Sequence, residues 1–541
     1  MDGRICLVSK THGSSGAHLL LWDRISEPIS GDNGPSFAFR RLAAYNSVDR
    51  IDCNCGDDAG LLLSNSLART NAPSVSNTCD CKLRGRSSDT FGFGYEMKLG
   101  LIAMSGLRAS NPELTAFGLT LPGFVERNRI VASLPSLGLL TLAALTPPAV
   151  DISYLEIPDL RLVPGVPAEF DLVAISSFSA QIKDAYELAD RYRALGTKVV
   201  LGGLHVTALP EEARRHADVI VIGEGETVWP RIMCDASNDL AGLDAIYDGR
   251  SQSFDLTFSP LPRFDLLEIE RYNRLTVQTQ RGCPLRCEFC AASIQISPTY
   301  KLKPVDRVIN EIQQIKSLWK RPYIEFADDN TFVNKTHAKS LMRAITTEQV
   351  RWFTETDLSV ADDDELLSLM RDAGCAQVLV GFESTNFAGL DGIEQRSNWK
   401  AKRVDQYLAA IEKIQNHGIT VNGCFILGLD GTDSNSFEDI WKFVRSSGLY
   451  DVQITVQTPF PGTPLYERYM RENRILHDGA WEMCTLFDVN FQPKHMTVAD
   501  LERGLRELGK KIYSEEFTKV RHSEFHRRNH RHPGLMKEVS Q

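Results

Sequence analysis

The sequence lacks an excess of positive charge. Its 60 Lys and Arg stand against 70 Asp and Glu, a formal net charge of −10. A chain of that sign suits a phosphate backbone poorly, so nucleic acid is not an expected partner. Long apolar runs are missing too. The longest, Leu134–Leu145, falls short of the ~18–20 residues that cross a bilayer and runs into Pro147 and Pro148, so no transmembrane segment is expected. Nor does the chain open with a basic start followed by an apolar core. Secretion is therefore not expected, and the cytoplasm is. In that compartment the twelve cysteines point to metal or redox chemistry before disulfides.

What is present falls into blocks. The 541 residues suffice for roughly three or four domains at about 150 residues each. Residues 1–96 are rich in Ser, Gly, Asn and Asp and show no sustained period. They read as a poorly ordered extension, or as sequence upstream of a natural start at Met97. Cys53, Cys55, Cys79 and Cys81 lie there, and their two CxC pairs could form a four-thiolate zinc site. From Met97 to 230, strands alternate with helices: Leu99–Met104, Asp151–Ile157, Asp171–Phe178, Lys198–Leu201 and Asp218–Ile222 read as strands. Alternation of this kind implies a parallel α/β sheet, which binds ligands at the carboxyl ends of its strands.

Residues 231–270 read as a linker. A second α/β run follows over 271–464, with strands near Thr276–Gln280, Tyr323–Phe326, Trp352–Thr356, Gln377–Phe382, Thr420–Leu427 and Gln453–Thr458. Six strand–helix units make a partial (β/α)6 TIM-type barrel. Residues 465–520 read as a small helical C-terminal domain, and 521–541 as a basic, solvated tail.

Just after the first strand of the second run stands Arg281-Gly282-Cys283-Pro284-Leu285-Arg286-Cys287-Glu288-Phe289-Cys290. Three thiolates at C-x-x-x-C-x-x-C spacing on a loop suit a soft-metal site. A closed zinc site needs a fourth ligand, which a distant His could supply. A [4Fe–4S] cube held by three cysteines keeps one iron open to a substrate. The motif, with Phe289 before its last cysteine, resembles that of the radical S-adenosylmethionine (SAM) superfamily. The resemblance implies that Cys283, Cys287 and Cys290 hold the cluster, and that its open iron chelates the amino and carboxylate groups of SAM. An electron then cleaves the sulfonium to give a 5′-deoxyadenosyl radical. It further implies a small-molecule substrate and an electron donor such as flavodoxin or ferredoxin.

Later barrel-strand ends extend the resemblance. Glu325-Phe326-Ala327-Asp328-Asp329-Asn330 corresponds to the segment that contacts the methionyl amino group, which points to Asp328 and Asp329. Asp329 also reads as a helix N-cap. Gly381-Phe382-Glu383-Ser384 resembles the segment whose acid bonds the SAM ribose, which points to Glu383. Gly423-Cys424-Phe425-Ile426-Leu427-Gly428 resembles the glycine-rich motif near adenine, which points to Gly423 and Gly428. Pro459–Pro464 reads as a rigid turn. Of the other cysteines, Cys234, Cys375, Cys424 and Cys484 read as small buried hydrophobes.

In the first α/β block, Leu201-Gly202-Gly203-Leu204-His205-Val206-Thr207-Ala208-Leu209-Pro210-Glu211-Glu212 follows one strand and Gly223-Glu224-Gly225-Glu226 ends the next. Paired glycines there let a ligand approach the backbone, and a nucleotide pocket would share that chemistry. His205 by itself reads as a structural histidine. Together with Leu134–Leu139 and Ala174–Phe178, these segments resemble the Rossmann-like cobalamin-binding domain that precedes the barrel in many radical SAM enzymes. The resemblance places Gly202, Gly203, His205, Gly223 and Gly225 among the cofactor-binding residues. The D-x-H-x-x-G signature of a lower cobalt ligand is absent, which implies base-off cobalamin without a protein imidazole. The whole resembles the cobalamin-dependent radical SAM methyltransferases that act on unactivated carbons of lipids, tetrapyrroles or specialised metabolites. These use one SAM to methylate cobalamin and a second to make the radical. A radical cyclase or rearrangement enzyme with the same cofactors, or a non-catalytic cobalamin-binding sensor, are the alternatives. No catalytic residue is assigned.

Overall fold

The computed structural model describes residues 97–105, 134–291 and 299–530, all within one compact unit, Thr90–Gln541. The CxC pairs and the extension before Met97 lie outside the described residues.

The first sheet has six parallel strands: β1 (Lys98–Met104), β2 (Asp151–Ile157), β3 (Leu172–Ser176), β4 (Lys198–Gly202), β5 (Val219–Ile222) and β6 (Ile246–Asp248). Their spatial order is β2-β1-β3-β4-β5-β6. Successive side chains go to opposite faces. Ile102, Val173 and Leu201 pack beneath the helix Ile182–Ala194, while Leu101, Ala174 and Val200 pack against Trp229 and Ile232. Both faces are covered over β1, β3, β4 and β5, which is why these read as near-continuous apolar runs, whereas the edge strand β2 carries Asp151, Ser153 and Glu156. The order reverses at β1 and β3, and beside that reversal the carboxyl ends of β3, β4 and β5 line a crevice.

The expected linker over 231–270 is corrected. Its first part continues the helix Trp229–Asn238, and β6 adds the sixth strand through the buried Tyr247. A strand of three residues is too short to show alternation in sequence.

β7 (Leu275–Val277) opens the second module. A two-stranded antiparallel pair, β8 (Gln280–Arg281) and β9 (Lys301–Leu302), brackets the cysteine motif. Then come β10 (Tyr323–Phe326), β11 (Arg351–Thr356), β12 (Cys375–Glu383), β13 (Thr420–Leu427) and β14 (Asp451–Val456). The parallel order β14-β13-β12-β11-β10-β7 follows the sequence and ends in two edges, as a six-stranded partial barrel does. Amphipathic helices cover its outside. Asn334 caps Lys335–Thr346, and Asp363 caps Asp364–Asp372 with its Oδ1 accepting from Leu366 N at 3.0 Å. The cap after β10 is thus Asn334, which leaves Asp329 to another role.

The helical C-terminal region has no core of its own. Val498–Ile512 starts with a capping box at Thr497 and Asp500 and drives Leu501, Leu505, Leu508 and Ile512 into the barrel's core. Each such side chain contributes about 1.5–3 kcal/mol on burial. The expected solvated tail is corrected over its first part. Glu515–His530 is helical, and Arg521 is buried, donating to Tyr450 O at 2.8 Å. No helix among the described residues is long and apolar enough to cross a membrane.

Candidate functional site

The chain leaving β7 turns at once into β8, and Asp328 holds that turn. Its carboxylate, 4% exposed, accepts from Thr279 N at 2.8 Å, Gln280 N at 3.1 Å, Thr279 Oγ1 at 2.5 Å and Thr331 Oγ1 at 3.0 Å. Burial pushes its pKa up to about 6 against these donors. Asp328 is therefore a clamp within the fold, with its acceptors taken by the protein. Asp329, one residue on, accepts from Gly282 N at 3.0 Å and faces open space. Burial raises its pKa, opposed by that N–H and by Arg281.

The cysteine loop is held from several sides. Glu288 N donates to Ile393 O at 2.8 Å, and Leu465 N donates to Glu288 O at 3.1 Å. The Glu288 carboxylate takes Arg468 Nη2 at 2.7 Å and Nε at 3.2 Å. Cys283, Cys287 and Cys290 form no disulfide among the described residues and line one cavity of about 280 Å³. Burial pushes Cys287 up to about 12, opposed by the Lys400 ammonium.

The same cavity is lined by Asp329, Asn330, Glu355, Glu383, Lys400 and Cys424. Glu383 sits at φ 60°, an uncommon backbone conformation for a residue with a side chain. Lys400 Nζ meets its Oε1 at 2.5 Å and Gly381 O at 3.1 Å. Burial alone would lower the lysine's pKa, but the Glu383 carboxylate holds it above the usual value. The Glu355 side chain is exposed to this cavity, and desolvation by the barrel wall around it, then the carboxylates of Glu325, Asp329 and Glu383, push its pKa up to about 8.

A second cavity, about 350 Å³, lies where the first sheet's carboxyl ends face the barrel. Gly202, Gly203, Gly223 and Gly225 line it, together with Leu137, Leu142 and Ser176. Gly203 has φ +108°, and a Cβ there would stand 3.4 Å from Ser176 Oγ. Gln278, Gln280 and Arg281 close it from the barrel side. Asp329 lines both cavities.

Besides Asp328, three expected contacts lie outside both cavities. His205 does not line the glycine-rimmed cavity. It is 1% exposed, with Nδ1 3.0 Å from Ser179 Oγ and Nε2 3.2 Å from Glu212 Oε1. Trp481, from the C-terminal region, packs edge-on against it at 5.3 Å and donates to Glu212 Oε2 at 3.1 Å. Gly423 and Gly428 face the barrel's outer layer. A Cβ on Gly423 would stand 2.8 Å from Leu449, and one on Gly428 2.9 Å from Leu501 and Phe491. Cys424 and Ile426 reach the cavity instead. Asn330, Glu355 and Lys400 were not singled out from the sequence. The alternation Thr354-Glu355-Thr356-Asp357 signals the second of these. Lys400 carries no local signal.

The donor sets fit the expected groups. Thiolates on a cube each bind a different iron, so three of them need to face one cavity rather than meet at a point. Among the described residues, no three His, Cys, Asp or Glu groups converge on a single metal ion. The other cavity has side-chain-free backbone along its rim, and no described histidine lines it.

Fold and site together define a class of protein with two adjoining cofactor sites, one with thiols at barrel strand ends and one at the carboxyl ends of a doubly wound sheet. The Radical SAM superfamily model matches residues 277–444, and the B12 binding domain model matches residues 128–232. The chain belongs to the radical SAM enzymes that carry a B12-binding domain, and their cofactors are SAM, a [4Fe–4S] cluster and cobalamin. It is 27% identical to bacteriochlorophyllide d C-12(1)-methyltransferase of Chlorobaculum tepidum over 384 residues, 70% of this chain and 82% of that one. It is 25% identical to hopanoid C-2 methylase of Rhodopseudomonas palustris over 370 residues, 67% and 69% of the two chains. Its fold is similar to that of the radical SAM methyltransferase TsrM from Kitasatospora setae, solved with cobalamin and [4Fe-4S] cluster bound. The TM-score is 0.53 and the identity 15%, covering 70% of this chain and 75% of that one.

Proposed function

We propose that this chain is a methylating radical SAM enzyme that adds a methyl group to an unactivated carbon of a small molecule: a lipid, a tetrapyrrole or a specialised metabolite. The observation that carries the reading is the meeting of two cofactor cavities at one residue, Asp329. The similarity to methylases of a tetrapyrrole and of a hopanoid supports it. When bound, the cluster with SAM supplies a hydrogen-abstracting radical and cobalamin supplies the methyl group.

The chain's own residues bind, orient and exclude water. We assign Cys283, Cys287 and Cys290 to the cluster, since their thiols share one cavity wall. Glu383 accepts ligand hydroxyls with the carboxylate oxygen that Lys400 leaves available. Asp329 offers an acceptor at the junction. Gly202, Gly203, Gly223 and Gly225 bring backbone to the cobalamin side. The required electron comes from a reductant such as flavodoxin or ferredoxin in the cytoplasm.

Anaerobic reconstitution with iron, sulfide and cobalamin tests the reading. Incubation with SAM and extracts of a deletion strain should yield S-adenosylhomocysteine and 5′-deoxyadenosine together with a product one methyl heavier. 5′-Deoxyadenosine without S-adenosylhomocysteine would replace methylation by a cyclase or rearrangement.

A further inference from the structure

A cluster of four charges joins the two cavities. Glu224 and Glu226 sit on the loop after β5, on either side of Gly225. Arg281 lies on β8, one residue before Gly282-Cys283. Lys301 lies opposite on β9. Arg281 Nη1 reaches Glu224 Oε1 at 2.8 Å, and Nη2 reaches Glu226 Oε1 at 2.6 Å. Lys301 Nζ holds both oxygens of Glu224, at 2.5 and 2.7 Å. Gln278 Oε1 accepts from Arg281 Nη2 at 2.9 Å and Nε at 3.2 Å. Phe254 N donates to Glu224 Oε2 at 2.8 Å. Both carboxylates are buried: the side chains are 4% exposed at Glu224 and 9% at Glu226.

Such a cluster is a poor source of net stability, because desolvation offsets most of the attraction. What a two-carboxylate grip on one guanidinium supplies is geometry. Its planar fork fixes both partners in direction and distance. Here it ties the glycine rim of one cavity to the backbone that leads into the first cysteine of the other. Gly282 N continues the path to Asp329, which lines both cavities. Chemistry shared between two sites is sensitive to displacements of about 1 Å.

We propose that Arg281, gripped by Glu224 and Glu226 with Lys301 behind, is a positioning latch that fixes the separation between cobalamin and the iron–sulfur cluster. The inference rests on the cofactor assignment proposed above. The latch touches neither reacting carbon nor hydrogen; it acts through the two loops it ties.

The test uses the reconstituted full chain. The charge-balanced double variant Arg281→Gln/Glu226→Gln leaves the Glu224–Lys301 pair in place and creates no unpaired buried charge. Iron and cobalamin content per chain should match the wild type. Pulsed EPR on the reduced protein then measures the dipolar distance between the cluster and cob(II)alamin. A narrow distribution is expected in the wild type, and one at least twofold broader in the variant. Arg281→Lys, which keeps the charge but loses the fork, should fall between them, and it carries the test if the double variant does not fold. A distance distribution equal to the wild type's would overturn the latch alone, as would loss of cobalamin with the cluster retained, which would make these binding residues. Failure of the wild type to take up both cofactors would overturn the cofactor assignment, and the latch with it.

Discussion

Replacing Asp328 separates a structural clamp from a ligand contact. In Asp328→Ala, the buried N–H groups of Thr279 and Gln280 lose their acceptor. The two threonine hydroxyls can turn to other partners. An unsatisfied buried donor costs about 1–3 kcal/mol, so two cost about 4 kcal/mol in all. Asp328→Asn keeps an acceptor for both N–H groups and turns its amide to the hydroxyls, so its cost is about 1 kcal/mol. The two also differ in pH dependence. The carboxyl's pKa rises on folding from 3.8 to about 6. A raised folded pKa gives stability that is fully present below the unfolded value and is lost as pH rises through the folded one. For this residue that is about 3 kcal/mol lost between about pH 4 and pH 7, a slope Asp328→Asn removes. Urea unfolding of the apoprotein at both pH values, followed by tryptophan fluorescence, reads these differences. A cost below about 1 kcal/mol for Asp328→Ala would refute the clamp, as would an Asp328→Asn protein of unchanged stability that no longer binds SAM.

Cys287→Ala should lose the cluster's visible absorption and most of its iron after reconstitution while its circular dichroism stays that of the wild type; Cys424→Ser, altering a thiol on the same cavity wall, should keep its iron. Gly428→Ala should lower the thermal midpoint by several degrees without changing the cobalamin spectrum, because its φ of +83° and the 2.9 Å approach to Leu501 belong to packing. Gly203→Ala should weaken cobalamin binding measured by spectral titration, since that glycine lines the cavity. For Glu355, whose pKa is raised to about 8, stability should fall in the wild type as pH rises through that value, and Glu355→Gln should flatten the profile in a pH series of thermal melts.

Much of the architecture was legible because its signals are local. Strands such as Asp151–Ile157, Tyr323–Phe326 and Thr420–Leu427 are short stretches of apolar or alternating residues, and the structure returns them with the expected bounds. The spacing of Cys283, Cys287 and Cys290 is likewise local, since one loop carries all three. β6 was missed because three residues show no period. The solvated tail was misread because Arg521's burial depends on Tyr450, some 71 residues away.

The sequence by itself determined the order of strands and helices, the two α/β modules and the thiol loop. Tertiary structure alone decided which side of β12 and of β13 faces the cofactors. In β12 and β13 apolar residues fall on both faces, so composition does not reveal the phase there, and a shift of one residue turns every side chain around. In β13 that phase puts Cys424 and Ile426 inside and turns Gly423 to the outer helices; in β12 it puts Gly381 and Glu383 inside. Lys400 reaches Glu383 from an irregular segment, held there because Glu394 accepts from Trp399 N at 2.7 Å and Lys400 N at 3.2 Å. His205 was drawn away from the glycine rim by Ser179, Glu212 and Trp481, partners that come together only when the chain's distant parts pack.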